Sequence, residues 1–418
     1  MSSDQYLSDY FDAVAYKRLY KVEINPNRSN QHEFNGTKEL KRIFGDDSSK
    51  KLHLAIRFIY LCDEEDDCFE QIGHLTWYDA RQRHPTRSEF RLYYEHSDIF
   101  SVAQEDDSLF IIRMKDGHFI TIVCKCGSTA EYQVKWLLGI DNEEEKFSVK
   151  EILGKEGLGY AAKKVLETLG VELSPKKDPD VEEMLSRFDD FPKVEEFSRY
   201  ARSFVNIDPV NNPDGALIAW VDKEESFFKA LEMKKIIAAV CELSSALTDG
   251  TSHDVIIDKF ISMSLSIQNR RKSRAGASFE YHLRELFDVN KVLYTFHPMT
   301  ENKNVPDFIM PSIEKYHESE CGSPILTMLA AKTTCKDRWR QILEEADKIP
   351  HKHLVTLEPS LSPNSFNQMV QRNVQLIAPE SIHETYSDSF RDDVWNMEHF
   401  IDHVLEKQSR YGCFPSMI

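Results

Sequence analysis

A chain of 418 residues is longer than one hydrophobic core normally supports, so two domains are expected. A hydrophobic fraction of 41% and a mean hydropathy of −0.48 fit a soluble protein, no apolar run approaches the roughly 20 residues of a membrane span, and the acidic start MSSDQYLSDYFDAV lacks the basic-then-apolar order of a signal peptide. The net charge of −18 argues against nucleic acid, yet acid (DEEDD at 63–67, NEEEK at 142–146, DPDVEE at 178–183) is segregated from base (RQRHPTR at 81–87, NRRKSR at 269–274), which leaves nucleic-acid binding open. Of the eight cysteines only Cys124 and Cys126 are close, a spacing that suits neither a metal knuckle nor a disulfide, so reduced thiols and a cytoplasmic location are expected.

From residue 15 to 140 the chain reads as strands rich in Val, Ile, Phe and Tyr: LHLAIRFIYL, EFRLYYE, SLFIIRM and HFITIVCKC. Turns such as KDGH separate them, which predicts an all-β barrel with KELKRIF as a short helix beside it. GLGYAAKKVLETLGV, 157–171, looks helical, and the prolines and charges of LSPKKDPDVEE mark a linker. The expected boundaries are an N-terminal domain over 1–172, a linker over 173–186 and a second domain over 187–418.

Helices KVEEFSRYARSFV and DKEESFFKALEMKKIIAAVCELSSAL follow, with apolar residues at helical spacing. From residue 275 the pattern alternates: helix GASFEYHLRELF, strands KVLYTFH, DFIMP and ILTMLAAKTT, helix DRWRQILEEADKI, then strands HLVTL and VQLIAP before closing helices. That predicts an α/β core around a mixed sheet. No internal repeat or low-complexity segment interrupts the chain.

Two strand ends carry chemistry. Asp307 opens a short apolar strand in VPDFIMP, and Lys332 closes the next long one. A carboxylate and a lysine at neighbouring strand ends suit metal-assisted phosphodiester cleavage, with the acid holding a divalent ion and the ammonium facing charge that develops on phosphate. An Asp after proline is equally a turn or strand cap. In the helix expected from Asp337, the residues Trp339, Ile342, Leu343, Ala346 and Ile349 form the buried stripe. Arg338, Gln341 and Glu345 lie on a neighbouring face, so Glu345 can lean toward the sheet edge, or pair with Lys348 or Arg338 as a solvated charge.

Together, NRRKSRAGASFEYHLRELF, NKNVPDFIMPS and LAAKTTCKDRWRQILEEADKI resemble the catalytic domain of the EcoRII-type restriction endonucleases. The likeness is strong over about 186–410 and weaker before it. It implies a PD-(D/E)xK nuclease fold in which the second acidic residue has been relocated. On the positions that match, Asp307 and Glu345 would hold Mg2+, Lys332 would be the catalytic lysine, and Tyr316 an active-site tyrosine. Ala330 stands where other members of the wider superfamily carry an acid. Glu280 falls where many such nucleases keep a helical carboxylate, and equally reads as a charge on an amphipathic helix.

Lys336, Asp337 and Arg338 match the family's base-reading triplet, and the chemistry fits: Arg or Lys donates to guanine O6 and N7, and Asp accepts from cytosine N4. The resemblance implies a CCWGG-like site cut before the first cytosine. Arg270, Arg271, Lys272 and Arg274 precede the expected helix as candidate phosphate contacts. In WYDARQRHPTRSEFRLYYE the N-terminal part resembles the effector-binding, mainly-β DNA-binding pseudobarrel of the same enzymes. There Arg81, Arg83, Arg87, Glu89 and Arg91, with His32 in a first arm, are candidate effector-DNA contacts, while Pro85 and Phe90 replace lysines of that pattern.

The expectation is a homodimeric, magnesium-dependent type II endonuclease restrained by its N-terminal domain until a second DNA site binds, and partnered in its system by a DNA methyltransferase. A repair or nicking endonuclease of the same fold is the nearest alternative, and KDR weighs against it because reading intact G·C pairs serves sequence-specific binding. A non-cleaving DNA-binding regulator is the other, and the joint presence of Asp307, Lys332 and Glu345 weighs against it.

Overall fold

The structure, a computed structural model, describes residues 5–24, 32–95, 97–141, 146–154, 156–173, 178–249, 251–336 and 338–413. The chain divides into two compact units, Met1–Glu172 with Pro359–Ser365, and Leu173–Glu358 with Phe366–Ile418.

The first unit is built on eight strands: β1 Phe11–Arg18, β2 Glu33–Asn35, β3 Leu52–Leu61, β4 Phe69–Asp79, β5 Phe90–Tyr94, β6 Ser108–Met114, β7 Phe119–Cys124 and β8 Ser148–Glu151. Their order is β2-β5-β4-β3-β7-β6-β1-β8. The unit is mainly β, as its Val-, Ile- and aromatic-rich runs predict, but the sheet is mixed, because β3 and β7 pair in parallel from Ile56 and Phe119 to Leu61 and Cys124. Among the described residues the pairing ends at β2 and β8 without joining them. KELKRIF forms the expected helix, Lys38–Phe44, started by Thr37, whose hydroxyl accepts from Leu40 N–H at 3.2 Å. Its Phe44 stacks on Trp77 at 5.3 Å, and Trp77 stacks on Phe90 at 5.0 Å, which fixes the sheet end from which the 80–89 loop leaves.

In the second unit β9 Thr295–Phe296, β10 Phe308–Met310, β11 Thr327–Lys332, β12 Lys352–Thr356 and β13 Val374–Ile377 form a sheet of order β13-β12-β11-β10-β9. The neighbours β11, β12 and β13 are parallel, while β10 runs antiparallel to both β11 and β9, so the expected mixed sheet is present. Strand β11, TMLAAK, is buried up to its terminal lysine, the near-continuous apolar run of a strand covered on both faces.

Three details depart from expectation. The stretch assigned to a linker holds a helix, Pro179–Arg187, because Asp178 accepts from Asp180 N–H at 3.0 Å as N-cap and proline is preorganised for the first turn. The basic cluster at 270–274 does not precede a helix. It lies inside one of 37 residues, His253–Val289, that returns alongside the 36-residue helix Pro213–Thr248. The helix expected to open at Gly276 instead runs unbroken from His253 as the second arm of a hairpin. Toward the turn between them, both arms expose large apolar residues, among them Ile237, Val240, Leu247, Ile257, Phe260 and Leu265. Lastly, residues 338–344 form a 3-10 helix rather than an α-helix.

Candidate active site

The ends of β10 and β11 meet through their ladder. Phe308 pairs with Leu329, so the preceding residue, Asp307, arrives beside the last residues of β11. Asp307 is 7% exposed, and its Oδ2 accepts from Ala331 N–H at 2.7 Å and from the Lys332 ammonium at 2.9 Å. A buried carboxylate held by a backbone donor and a lysine is a fixed point of charge.

Glu345 reaches the same neighbourhood by a route the helical periodicity did not anticipate. Trp339, Ile342, Ala346 and Ile349 are buried as the expected stripe has them, but Ala346 adopts φ 49°, so no α-helix continues through it, and Pro350 closes the segment soon after. The chain winds instead as a 3-10 helix, in which residues i and i+3 lie one above the other. Trp339 and Ile342 are its buried row, and Glu345 N–H donates to Ile342 carbonyl at 3.1 Å, extending that row by one more step. Glu345 thus follows the core-facing residues and not Arg338 and Gln341. Lys352, buried at the start of β12, donates to the Glu345 carbonyl and, at 2.8 Å, to the Ala346 carbonyl, which anchors the turn. Nothing in the sequence singled out Lys352 beyond its being a lysine that opens an apolar strand.

Burial pushes the Glu345 carboxyl up to about 7, helped by Asp307 and opposed by Lys332 and Lys352. Its Oε2 is buried with no hydrogen-bond partner among the described residues. An unpaired buried oxygen next to a second carboxylate fits a hard divalent cation, which accepts oxygen ligands and relieves the repulsion between acids. In the metal-free protein the raised carboxyl binds a proton that the unfolded chain, titrating near 4.5, does not. This contribution to stability therefore falls as pH rises from about 4.5 to about 7. Glu345→Gln is expected to be more stable than the parent by about 1–3 kcal/mol at pH 8 and equal to it near pH 4. Denaturant unfolding in a chelator at both pH values checks this, and a difference that does not change with pH rules it out.

Glu280, on the return helix of the hairpin, also joins the site. Burial and then Asp307 raise its carboxyl, while His297 opposes them; His297 Nε2 lies 2.8 Å from Glu280 Oε2. Ligand atoms of Glu280, His297 and Asp307 are all within 4.8 Å of one another. His297 went unnoticed in the sequence because it is distant from both partners and reaches them only through strand pairing. Tyr316 is fully buried; its hydroxyl donates to Glu301 and accepts from Lys348 N–H at 3.2 Å. Burial, then the Glu301 bond, raises its phenol well above the usual range. Among the described residues its bonds brace the turn after Glu345 and do not reach Asp307 or Lys332. Ala330, fully buried, shares the β11 face of Lys332.

Of the candidate base-reading residues, Lys336 and Arg338 are half-buried, and Asp337 lies outside the described residues. The segment is tied at Cys335, whose N–H donates to buried Glu358 at 3.0 Å, and by the Trp339–Ile342 row. The basic cluster is divided. Arg274 donates to the Pro192 carbonyl at 2.8 Å and sits over Phe191, Phe197 and Phe228, a packing role that withdraws it from phosphates. Arg271 bridges to Glu232 at 2.6 Å, Arg270 lies over Phe191, and Lys272 is exposed.

In the first unit, Asp79 accepts from both Arg81 N–H and Glu89 N–H at 2.8 Å, closing the base of the 80–89 loop. Burial raises the Asp79 carboxyl, but these two donors together with Ser88 and Lys41 outweigh it and the net shift is downward. Glu89 bridges Arg81 at 2.5 Å and also Arg91, which reaches Asn35 on β2. Arg83 and Arg87 stand exposed on the loop, and His32 meets Tyr94 edge-on at 5.5 Å.

Residues 228–401 match the family described as EcoRII C terminal. The chain is 29% identical over 341 residues to the type II restriction enzyme EcoRII of Escherichia coli, covering 80% of this chain and 79% of that one. It is 26% identical over 190 residues to the type II restriction enzyme SsoII of Shigella sonnei, covering 40% of this chain and 60% of that one. A solved structure, metal-depleted Ecl18kI in complex with uncleaved, modified DNA, is similar with a TM-score of 0.45 and 20% identity over 57% of this chain and 86% of that chain.

Proposed function

We infer that this chain, whose residues 228–401 match the family described as EcoRII C terminal, is a type II restriction endonuclease that hydrolyses DNA at a CCWGG-like sequence with Mg2+. The observation that carries the chemistry is the Asp307–Lys332 pair at the ends of two adjacent strands, whose charges also act on the buried carboxyl of Glu345. Asp307 and Glu345 would hold the ion, with Glu280 as an accessory acid, and a divalent ion there would supply the acidity that activates water and polarises the phosphate. Lys332, kept in place by Asp307, aims its ammonium at the phosphate as negative charge builds on the non-bridging oxygens. Tyr316 and Lys352 keep the Glu345 turn from shifting.

Lys336, Asp337 and Arg338 read the outer G·C pairs from the major groove, and Arg270, Arg271 and Lys272 meet the phosphates that set the register. The working unit is a homodimer. A near-palindromic site asks for a two-fold protein, and the exposed apolar residues along the helical hairpin supply a self-complementary surface. The N-terminal unit, a DNA-binding pseudobarrel, takes a second copy of the site through His32, Arg81, Arg83, Arg87, Glu89 and Arg91, and restrains cleavage until it does so. The Asp79-braced loop that gathers Arg81, Glu89 and Arg91 supports that reading. A cytoplasmic enzyme paired with a protective methyltransferase completes the system; no helix among the described residues is long and apolar enough to cross a membrane.

The test is digestion of sequenced plasmids carrying one or several CCWGG sites, with magnesium, followed by mapping of the cut ends. Cuts before the first cytosine are expected, with the multi-site plasmid cut at least about tenfold faster if the second site relieves restraint. Cuts at unrelated sequences would overturn the specificity, and equal rates would overturn the effector role.

A further inference from the structure

We infer that His297 supplies a nitrogen ligand to a cation position on the Glu280 side of Asp307, a position that takes manganese in preference to magnesium; this rests on the nuclease assignment above. The backbone delivers His297 there in two steps. Phe296 faces Phe308 across β9 and β10, so the next pair along the ladder is His297 and Asp307, and His297 N–H donates to the Asp307 carbonyl at 3.0 Å. His297 then enters the left-handed region at φ 49°, which L residues seldom adopt, and this ends the strand and turns the ring toward Glu280. Phe296 stacks on the imidazole at 3.7 Å and fixes its plane.

The result is a cluster with ligand spacing. Nε2 of His297 lies 2.8 Å from Oε2 of Glu280, close to the roughly 3 Å between neighbouring ligands that each sit about 2.1 Å from an octahedral ion. The third ligand atom, from Asp307, is within 4.8 Å of both. Glu345 is outside this trio, so Asp307 is shared between the two positions. Carboxylates and water alone suit magnesium, whereas an imidazole ligand favours first-row ions over magnesium, least for manganese and more for cobalt and zinc.

The experiment uses the full chain and Mn2+ without turnover, with affinity from equilibrium dialysis and the ligand from nitrogen coupling in pulsed electron paramagnetic resonance. Bound Mn2+ is expected to show a histidine nitrogen. His297→Ala should lose that coupling and bind Mn2+ about 10- to 100-fold more weakly, with Mg2+ affinity, read by competition, changed less than about threefold. Should alanine disturb the fold at the left-handed position, His297→Asn keeps a residue that tolerates it and should lose the nitrogen all the same. Glu345→Gln should retain the signal. Mn2+ bound without nitrogen, a nitrogen that survives His297→Ala, loss of it in Glu345→Gln, or no bound Mn2+ would each overturn the inference. Asp307→Ala separates the two levels: Mn2+ binding that ignores this change overturns the nuclease assignment, while Asp307-dependent binding without nitrogen overturns only the role of His297.

Discussion

Lys332→Ala is expected to slow magnesium-dependent cleavage by about 10²–10³-fold, the usual effect of removing one preorganised donor to developing negative charge. The change removes the ammonium but spares the fold, because Asp307 keeps its bond from Ala331 N–H at 2.7 Å. Site-specific binding should survive, since the residues proposed to read bases are mounted separately, between the Cys335 anchor and the buried Trp339–Ile342 row. Single-turnover rates on a plasmid, with gel-shift affinities for the same duplex, measure both. A rate within threefold of the parent would remove Lys332 from the chemistry. Loss of binding in parallel would mean that Lys332 positions DNA instead.

Arg338→Ala is expected to act the opposite way, keeping the catalytic ends of β10 and β11 while erasing discrimination at an outer G·C pair. A bidentate arginine–guanine contact is worth about 1–3 kcal/mol of discrimination, or roughly 5- to 150-fold, and a two-fold assembly loses one in each half-site. Stability should hardly change, because Arg338 is on the row of the 3-10 helix that does not pack into the core. Trp339→Ala is the instructive neighbour. It empties a buried position and should cost about 3–5 kcal/mol of stability, lowering every activity together. Competition between cognate duplex and duplexes altered at the outer pair reads the difference. Unchanged discrimination in Arg338→Ala would overturn the base-reading role.

Much of the sheet was legible because its strands are almost wholly buried. TMLAAK, KHLVT and FIM are apolar runs with no competing pattern. Strand β4, FEQIGHLTWYD, escaped notice because its alternation is blurred on both faces: Glu70 and His74 share the exposed face with an apolar Ile72, and half-buried Gln71 lies on the other. The helix expected after Lys332 shows a different limit. Trp339 and Ile342 satisfy both a 3.6-residue and a 3-residue repeat, and the choice between them rested on the backbone of Ala346, which no side-chain pattern records. Asp307, Lys332 and Glu345 were named from types and spacing, with the resemblance choosing among alternatives the spacing left open, and the strand-end pairing of Asp307 with Lys332 was legible in this way. His297 was not found, because it meets Glu280 across 17 positions of sequence through strand pairing and a left-handed residue.

The threefold winding of 338–344 also sets a rule of counting on how this segment can change. Each residue of a 3-10 helix advances the face by about a third of a turn, so deleting one would carry the carboxylate of Glu345 around to the side now held by Arg338 and Gln341. Deletions or insertions of three would keep the acid and the arginine on their own sides and alter only the distance between them. Length changes of three should therefore keep Glu345 on its side while shifting it by about 6 Å, whereas changes of one or two should also turn it away. A site whose second acid rides on such a helix is indexed by residue number, much as a strand is indexed by parity.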